Sequence, residues 1–257
     1  MVGFHPVREA LRARRRLLLR LRVREGLRHP DLPELVALAR GAGVAVEAVS
    51  AERLAAGLPA ELRSQGLVLE AGPLPELDLE VLLREAGERT RRLVLLDGVE
   101  DPQNLGAVAR VAEASGACGL VLAVRRAPPL GSAASRASAG ALEHLPVARV
   151  VNLRRALDRL GDAGFWRIGC DPEAEATLWS TPDALWTGDL ALVLGAEGRG
   201  VRPGVRAALD LEVRIPLAGR VASLNVASAA AVVLFDAARR ARPSGMETRR
   251  PGASPRN

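Results

Sequence analysis

The stretch LVLLDGVEDPQNLGAVARVAEASGACGLVLAV, residues 93–124, decides the fold class. It opens on a short apolar run, Leu93–Leu96, that reads as a strand. A polar junction follows, and then Leu105, Val108, Ala109 and Ala112 recur at helical spacing over a helix expected from Asn104 to Ser115. A second apolar run, Leu120–Val124, closes a strand–helix–strand unit. Downstream the alternation continues, with strands expected at Val147–Val151, Phe165–Gly169, Leu190–Leu194 and Leu211–Ile215. Helices are expected at Leu153–Leu160, Pro203–Ala208 and Ser223–Ala238. Such alternation implies an α/β fold with a mostly parallel sheet covered by helices. Ligands of such sheets bind beyond the carboxyl ends of the strands.

Upstream the pattern is shorter and more mixed. Val7, Ala10 and Leu11 mark one helix face, and Leu32–Arg40 reads as a second helix. Leu17–Val23, Val44–Val49 and Gln65–Glu70 read as strands, so this segment is a small α/β domain of its own. Ala71-Gly72-Pro73-Leu74-Pro75 breaks the pattern. The expected organisation is therefore a small domain over 1–75, a linker over 76–91 containing a helix at Leu77–Arg84, a larger domain over 92–242, and a disordered basic tail over 243–257.

At 257 residues, 48% of them hydrophobic, the chain can bury a sizeable core. All 36 basic residues are arginine, which excludes a Walker A loop and Schiff-base chemistry, both of which need lysine. The net charge of +6 is unevenly placed. Residues 1–30 hold nine arginines against Glu9 and Glu25, residues 239–257 hold six against Glu247, and the middle is acidic. Basic ends on an acidic body point to a polyanion partner, or to a solvated basic helix and a frayed tail. Arg8, Arg12, Arg15 and Arg16 fall on one stripe of the first helix and are the candidate phosphate contacts.

Cys118 and Cys170 form no CxxC pair and only three histidines are present, so neither a zinc site nor a disulfide framework is expected. That usage fits a reducing cytoplasm. The longest largely apolar run, Val226–Phe235, is too short for a membrane span, which needs about 20 residues, and Leu17–Leu19 is too short for a signal peptide's apolar region.

Three strand-to-helix junctions concentrate glycine and polar side chains. The first, Asp97-Gly98-Val99-Glu100-Asp101-Pro102-Gln103-Asn104, runs into the helix that carries Arg110. Arg110 lies about 140° from Leu105 around that helix and so points away from its apolar face. Asn104 reads either as a helix cap or as a functional amide, and Asp101-Pro102 suits the cap equally well. The second junction, Gly195-Ala196-Glu197-Gly198-Arg199-Gly200, has three glycines that let backbone approach a ligand, but not at dinucleotide-binding spacing. The third runs from Ile215 to Asn225, with Ser223 as the expected cap of the last helix and Asn225 in its first turn.

Together DGVEDPQNLGAVARVAEASG (97–116), LVLGAEGRGV (192–201) and IPLAGRVASLNVASAAAVVLF (215–235) resemble the three ordered motifs of the SPOUT-class RNA ribose 2′-O-methyltransferases, the TrmH/RlmB family. SAGALEHLPVARV (138–150) resembles a family stretch between the first two motifs. GFHPVREALRA (3–13) and Gln65-Gly66 resemble the substrate domain of the RlmB branch. The resemblance implies a trefoil-knotted α/β domain that binds S-adenosylmethionine, dimerises and methylates structured RNA, most like a guanosine of 23S rRNA. It places Asn104, Arg110, Glu197, Ser223 and Asn225 at catalytic positions, and Gly195, Ile215 and Leu224 where backbone holds the methyl donor. A tRNA, another rRNA nucleotide, or a non-catalytic RNA-binding role are the alternatives. An arginine side chain is too basic to serve readily as a base, so Arg110 is expected to stabilise developing alkoxide. No metal and no membrane partner are expected.

Overall fold

A computed structural model of the chain describes residues 1–58, 64–87 and 90–241. The expected basic tail, 243–257, lies outside the described residues. The first part comprises α1 (Phe4–Ala13), β1 (Leu18–Arg24), α2 (Leu32–Gly41), β2 (Ala45–Val49), α3 (Ala51–Ala55) and β3 (Leu67–Ala71). Its sheet has the order β2-β1-β3, with β1 parallel to β2 and antiparallel to β3. Val7, Ala10 and Leu11 are fully buried between α1 and this sheet, on the face their spacing marks out.

After α4 (Leu79–Ala86) come β4 (Arg92–Asp97), α5 (Pro102–Ala114), β5 (Gly119–Ala123), α6 (Ser132–Ala137), β6 (Val147–Val150), α7 (Leu153–Asp162) and β7 (Trp166–Cys170). The chain continues through β8 (Ala176–Thr177), α8 (Ala184–Thr187), β9 (Leu190–Gly195), α9 (Pro203–Arg206), β10 (Leu211–Arg214) and α10 (Val226–Arg240). The strands form one sheet, β6-β5-β4-β9-β7-β10-β8, in which every pair is parallel.

The central strands are apolar at nearly every position because both faces are covered. Val94, Leu96, Leu120, Leu122, Leu192 and Leu194 pack into the core on the side of α5 and α10. Leu93, Leu95, Val121, Ala191 and Val193 pack into the opposite core with α4 and α7. Each fully buried leucine or valine contributes on the order of 1.5–3 kcal/mol.

Two helix ends differ from the sequence-based expectation. α1 stops at Ala13, because Arg14 adopts the left-handed conformation with φ 51°. Its backbone N–H donates to the Ala10 carbonyl (3.0 Å), and its guanidinium donates to the carbonyls of Leu11 (3.4 Å) and Gly41 (3.1 Å). That cap turns the chain into β1, so Arg15 and Arg16 do not share the stripe of Arg8 and Arg12. The last helix begins at Val226 and not at Ser223, because Asn225 takes the cap: its Oδ1 accepts from the Ala227 N–H at 2.9 Å. At α5 the expectation that Asp101-Pro102 caps the helix is met, with Asp101 Oδ1 accepting from the Gln103 N–H at 2.9 Å. Asn104 is thereby left inside the first turn.

α5 crosses α6 at Gly106, where a Cβ would lie 2.4 Å from Ala137 Cβ and 2.5 Å from the Ala134 carbonyl oxygen. Backbone lies on the other side, so the crossing cannot yield by a side-chain rotation. Gly106→Ala is expected to destabilise the fold by about 1–3 kcal/mol through overpacking. A urea midpoint that falls at constant slope checks this, and an unchanged midpoint refutes the close crossing.

Candidate active site at the strand ends

The registers of three strands bring the three junctions together. Asp97 at the end of β4 pairs with Gly195 at the end of β9, Leu194 pairs with Cys170 of β7, and Cys170 pairs with Val213 of β10. Asp97 is 1% exposed, and its carboxylate accepts from the Arg202 backbone N–H (2.8 Å) and the Arg202 Nε (2.7 Å). The glycine-rich loop is thus tied at both ends, by the sheet at Gly195 and by Asp97 at Arg202. Between them Ala196 bridges Gly200, and Gly198 and Gly200 take φ of 75° and 62°. A Cβ on Gly195 would fall 2.1 Å from the Gly200 carbonyl carbon, a contact only glycine permits.

This loop walls a cavity of about 390 Å³ with Cys170 and Asp171 on one side and the segment from Ile215 to Val226 on the other. Gly195, Ile215 and Leu224, the expected donor-binding positions, all line it, as do Glu197 and Ser223. Burial, and then the neighbouring Asp171 carboxylate, pushes the Cys170 thiol up to about 11, so it stays protonated at neutral pH. Asp171 itself is buried and paired with Arg206.

Beside the cavity the side chains of Asn104, Glu197 and Asn225 form one cluster. Asn225 Nδ2 donates to Glu197 Oε1 (2.8 Å) and to Asn104 Oδ1 (2.9 Å), and Asn104 Nδ2 donates to Glu197 Oε1 (3.3 Å). With its Oδ1 capping α10, Asn225 uses its acceptor in the fold and both N–H groups in the site. The cluster holds one carboxylate oxygen of Glu197; the other, Oε2, has no partner among the described residues. Chemically it can orient a polar group and offer negative charge.

The other expected site residues lie apart. Arg110 is exposed on α5, outside the cavity and without a polar partner among the described residues. Ser223 lines the cavity and does not cap α10. Arg8 pairs with Asp31, and Arg12 with Glu34 (2.7 Å) and Glu9 (3.3 Å). Arg15 is partly buried, and burial lowers its pKa. Arg16 is buried against Glu143. Asp97, Arg202 and Asp171 are absent from the sequence-based candidates. An acid on the last or next residue of an apolar strand is the signal that marks Asp97 and Asp171, but their partners lie 105 and 35 residues away. Among the described residues no group of three or more His, Cys, Asp or Glu could hold a metal ion. No helix among them is long and apolar enough to cross a membrane.

The chain thus sets a glycine-walled cavity and an amide–carboxylate cluster at the carboxyl edge of a parallel sheet, preceded by a small separate sheet. Residues 91–235 match the SpoU rRNA Methylase family, and residues 1–77 match the domain described as RNA 2′-O ribose methyltransferase substrate binding; the chain belongs to that methylase family. It is 38% identical over 240 residues to the 23S rRNA (guanosine-2′-O-)-methyltransferase RlmB of Ralstonia nicotianae (strain ATCC BAA-1114 / GMI1000), covering 93% of this chain and 94% of that one. It is 33% identical over 247 residues to the TrmH-family protein YacO of Bacillus subtilis (strain 168), covering 95% and 97%. Among solved structures, the SpoU methyltransferase AviRb from Streptomyces viridochromogenes, in complex with AdoMet, superposes with a TM-score of 0.76 at 26% identity, covering 93% of this chain and 89% of that one.

Asn225 separates folding from chemistry. Asn225→Ser retains a capping oxygen but loses the amide donors, so it is expected to keep stability within a few tenths of a kcal/mol while methyl transfer falls. Asn225→Ala is expected to lose about 1 kcal/mol as well. Thermal melts beside a transfer assay check both, and full activity in Asn225→Ser would remove the cluster from the reaction.

Proposed function

We propose that this protein transfers a methyl group to the ribose 2′-hydroxyl of a guanosine in 23S rRNA, acting in the cytoplasm as a homodimer. The observation that carries the reading is the Asn104–Glu197–Asn225 cluster set against the cavity lined by Gly195, Ile215 and Leu224. The rRNA target is supported by the name of the Ralstonia relative and by the N-terminal substrate-binding domain. Dimerisation is supported by the resemblance and by large apolar side chains left exposed, Phe235 of α10 at 49% and Val221 at 66%.

The cavity fits S-adenosylmethionine. Its volume falls in the range of about 300–1,000 Å³ usual for small-molecule sites. Gly195 lets the loop fold back on Gly200 and bares backbone at the cavity wall, Ile215 and Leu224 offer apolar wall, and Glu173 sets negative charge near a cationic ligand. When bound, S-adenosylmethionine supplies a methyl group on a positively charged sulfur, which a ribose oxygen can displace. Gly195, Ile215 and Leu224 would hold it, and the protein's main contribution is alignment of the reacting oxygen, worth up to about 7–11 kcal/mol.

Glu197, held on one oxygen by two amides, presents Oε2 to orient the incoming ribose. Ser223 adds a hydroxyl at the cavity wall. The Arg110 guanidinium stabilises negative charge as the hydroxyl gives up its proton. Arg8, Arg12 and Arg15 are the proposed RNA contacts; Arg16, with its guanidinium buried against Glu143 and Gly72, is left out of that set. Arg12, half-exposed at the end of α1, is the one most open to phosphate in the free protein.

The test incubates the protein with methyl-labelled S-adenosylmethionine and, separately, unmodified large-subunit rRNA and tRNA, and maps product by resistance to alkaline cleavage. One ribose methylation in rRNA is expected. Label in tRNA alone keeps the family and overturns the target, donor binding without transfer to either overturns the choice of RNA, and no donor binding favours a non-catalytic RNA-binding role. Arg110→Ala is expected to lower kcat about 10²–10³-fold with donor affinity unchanged. Full turnover at saturating RNA would sink its role.

A further inference from the structure

The two sheets are joined by a pinned connection. Between β3 and α4 the chain runs Gly72-Pro73-Leu74-Pro75-Glu76-Leu77. At its start the Gly72 N–H donates to the Leu17 carbonyl (2.8 Å). At its end Leu77 is clipped to β6: its N–H donates to the Val147 carbonyl (2.8 Å), and its carbonyl accepts from the Arg149 N–H (3.0 Å). Leu74 between them is buried in the core of the large sheet. Two prolines restrict the backbone further.

Arg16 sits at this joint. Its Nε and Nη2 donate to the two carboxylate oxygens of Glu143 at 2.9 and 2.6 Å, and its Nη1 donates to the Gly72 carbonyl at 3.1 Å. The side chains are 7% and 1% exposed, so the fork is shielded from water. A second contact lies alongside, Glu9 Oε2 to His144 Nε2 at 2.8 Å. Gly140, with φ 92°, packs against Glu9 so closely that a Cβ there would lie 2.7 Å from Glu9 Cβ. Burial pushes the Glu143 carboxyl above its ordinary range even with Arg16 against it. Such a pair is a poor source of stability compared with apolar packing, and its geometric directionality is what it supplies.

Glu143 also stands one short turn from the segment that meets the catalytic helix. Ser138 N and Ala137 Cβ abut Gly106 of α5, two residues from Asn104. The joint is therefore continuous, through packed backbone, with the amide–carboxylate cluster.

We propose that Arg16 and Glu143 are positioning residues whose buried pair fixes the angle between the N-terminal substrate-binding domain and the catalytic edge. The RNA is then gripped across a rigid span and not captured by a tethered domain. This rests on the RNA-methylation reading above. It sets Arg16 to work through Glu143 in the protein's own architecture, and not through phosphate.

The test uses the full-length chain in two double variants, Arg16→Met/Glu143→Leu, which leaves no buried charge unpaired, and Arg16→Glu/Glu143→Arg, which reverses the pair. In the apolar variant we expect donor affinity by calorimetry within about twofold of wild type, kcat within about threefold, and KM for rRNA raised about tenfold, with a larger maximum dimension in small-angle scattering. The reversed pair is expected to bring KM back to within about threefold of wild type. A wild-type KM and scattering profile in the apolar variant overturn the proposal, as does loss of donor binding along with RNA binding, which would mark general structural damage. If wild type methylates no RNA, the functional reading fails by itself. The scattering comparison still decides the pin: a changed shape supports it and an unchanged one refutes it.

Discussion

The site depends on one buried carboxylate. Asp97 ends β4 in register with Gly195, and by holding the backbone and side chain of Arg202 it fixes where the loop after β9 comes back to the sheet. Without that tie the segment from Ala196 to Val201 would be a glycine-rich excursion with several conformations of similar energy. With it, Gly195 and Gly200 are pressed to a separation no side chain tolerates, and Glu197 is carried to the edge of the cavity. An aspartate with one oxygen on the backbone N–H of an arginine and the other on its guanidinium is suited to this, because the two charge-assisted bonds set direction as well as distance.

Asn225 shows why catalytic and structural readings of one residue need not compete. A capping asparagine needs only its carbonyl oxygen, which leaves two N–H groups pointing outward from the helix start. Here those groups meet Asn104 from the β4 junction and Glu197 from the β9 junction. The same torsions that start α10 therefore lock three junctions, 121 and 28 residues distant in sequence, into one cluster. Flexibility at this helix start would scatter the cluster, so the fold's need for a cap and the site's need for order coincide.

The large sheet was legible in the sequence because its strands are buried on both faces and its helices on one. Runs such as Leu93–Leu96 and Leu190–Leu194, and the spacing of Leu105, Val108, Ala109 and Ala112, admit few other readings. β8, with two residues, and α6, built from Ser, Ala and Arg, carry too little apolar pattern to be seen. The site residues were legible only as motif positions. That Asn225 caps α10, or that Arg14 ends α1 in the left-handed region, depends on hydrogen bonds that spacing does not encode. The tie between Asp97 and Arg202 is invisible for the same reason: register between β4 and β9 is a long-range fact.

Charge was the feature most altered by folding. In sequence the first 30 residues read as a basic arm, but in the structure their arginines meet acids from elsewhere: Arg8 meets Asp31, Arg12 meets Glu34, Arg16 meets Glu143, and Arg20 and Arg22 share Glu70. Arginine, with a planar fork and weaker hydration than lysine, suits such pairing, and a chain whose only cations are arginines spends many of them inside its own architecture. The exposed arginines without an acidic partner among the described residues include Arg125 and Arg126 after β5, Arg199 after β9 and Arg220 after β10. Since these strands are parallel, those positions share one edge of the sheet, the edge that carries the cavity. Unpaired charge raises the local concentration of a polyanion where paired charge does not. Exposed, unpaired positive charge thus lies at the edge that carries the cavity, while of the N-terminal pairs just named only Arg16 with Glu143 reaches the larger domain, the others closing within residues 1–71.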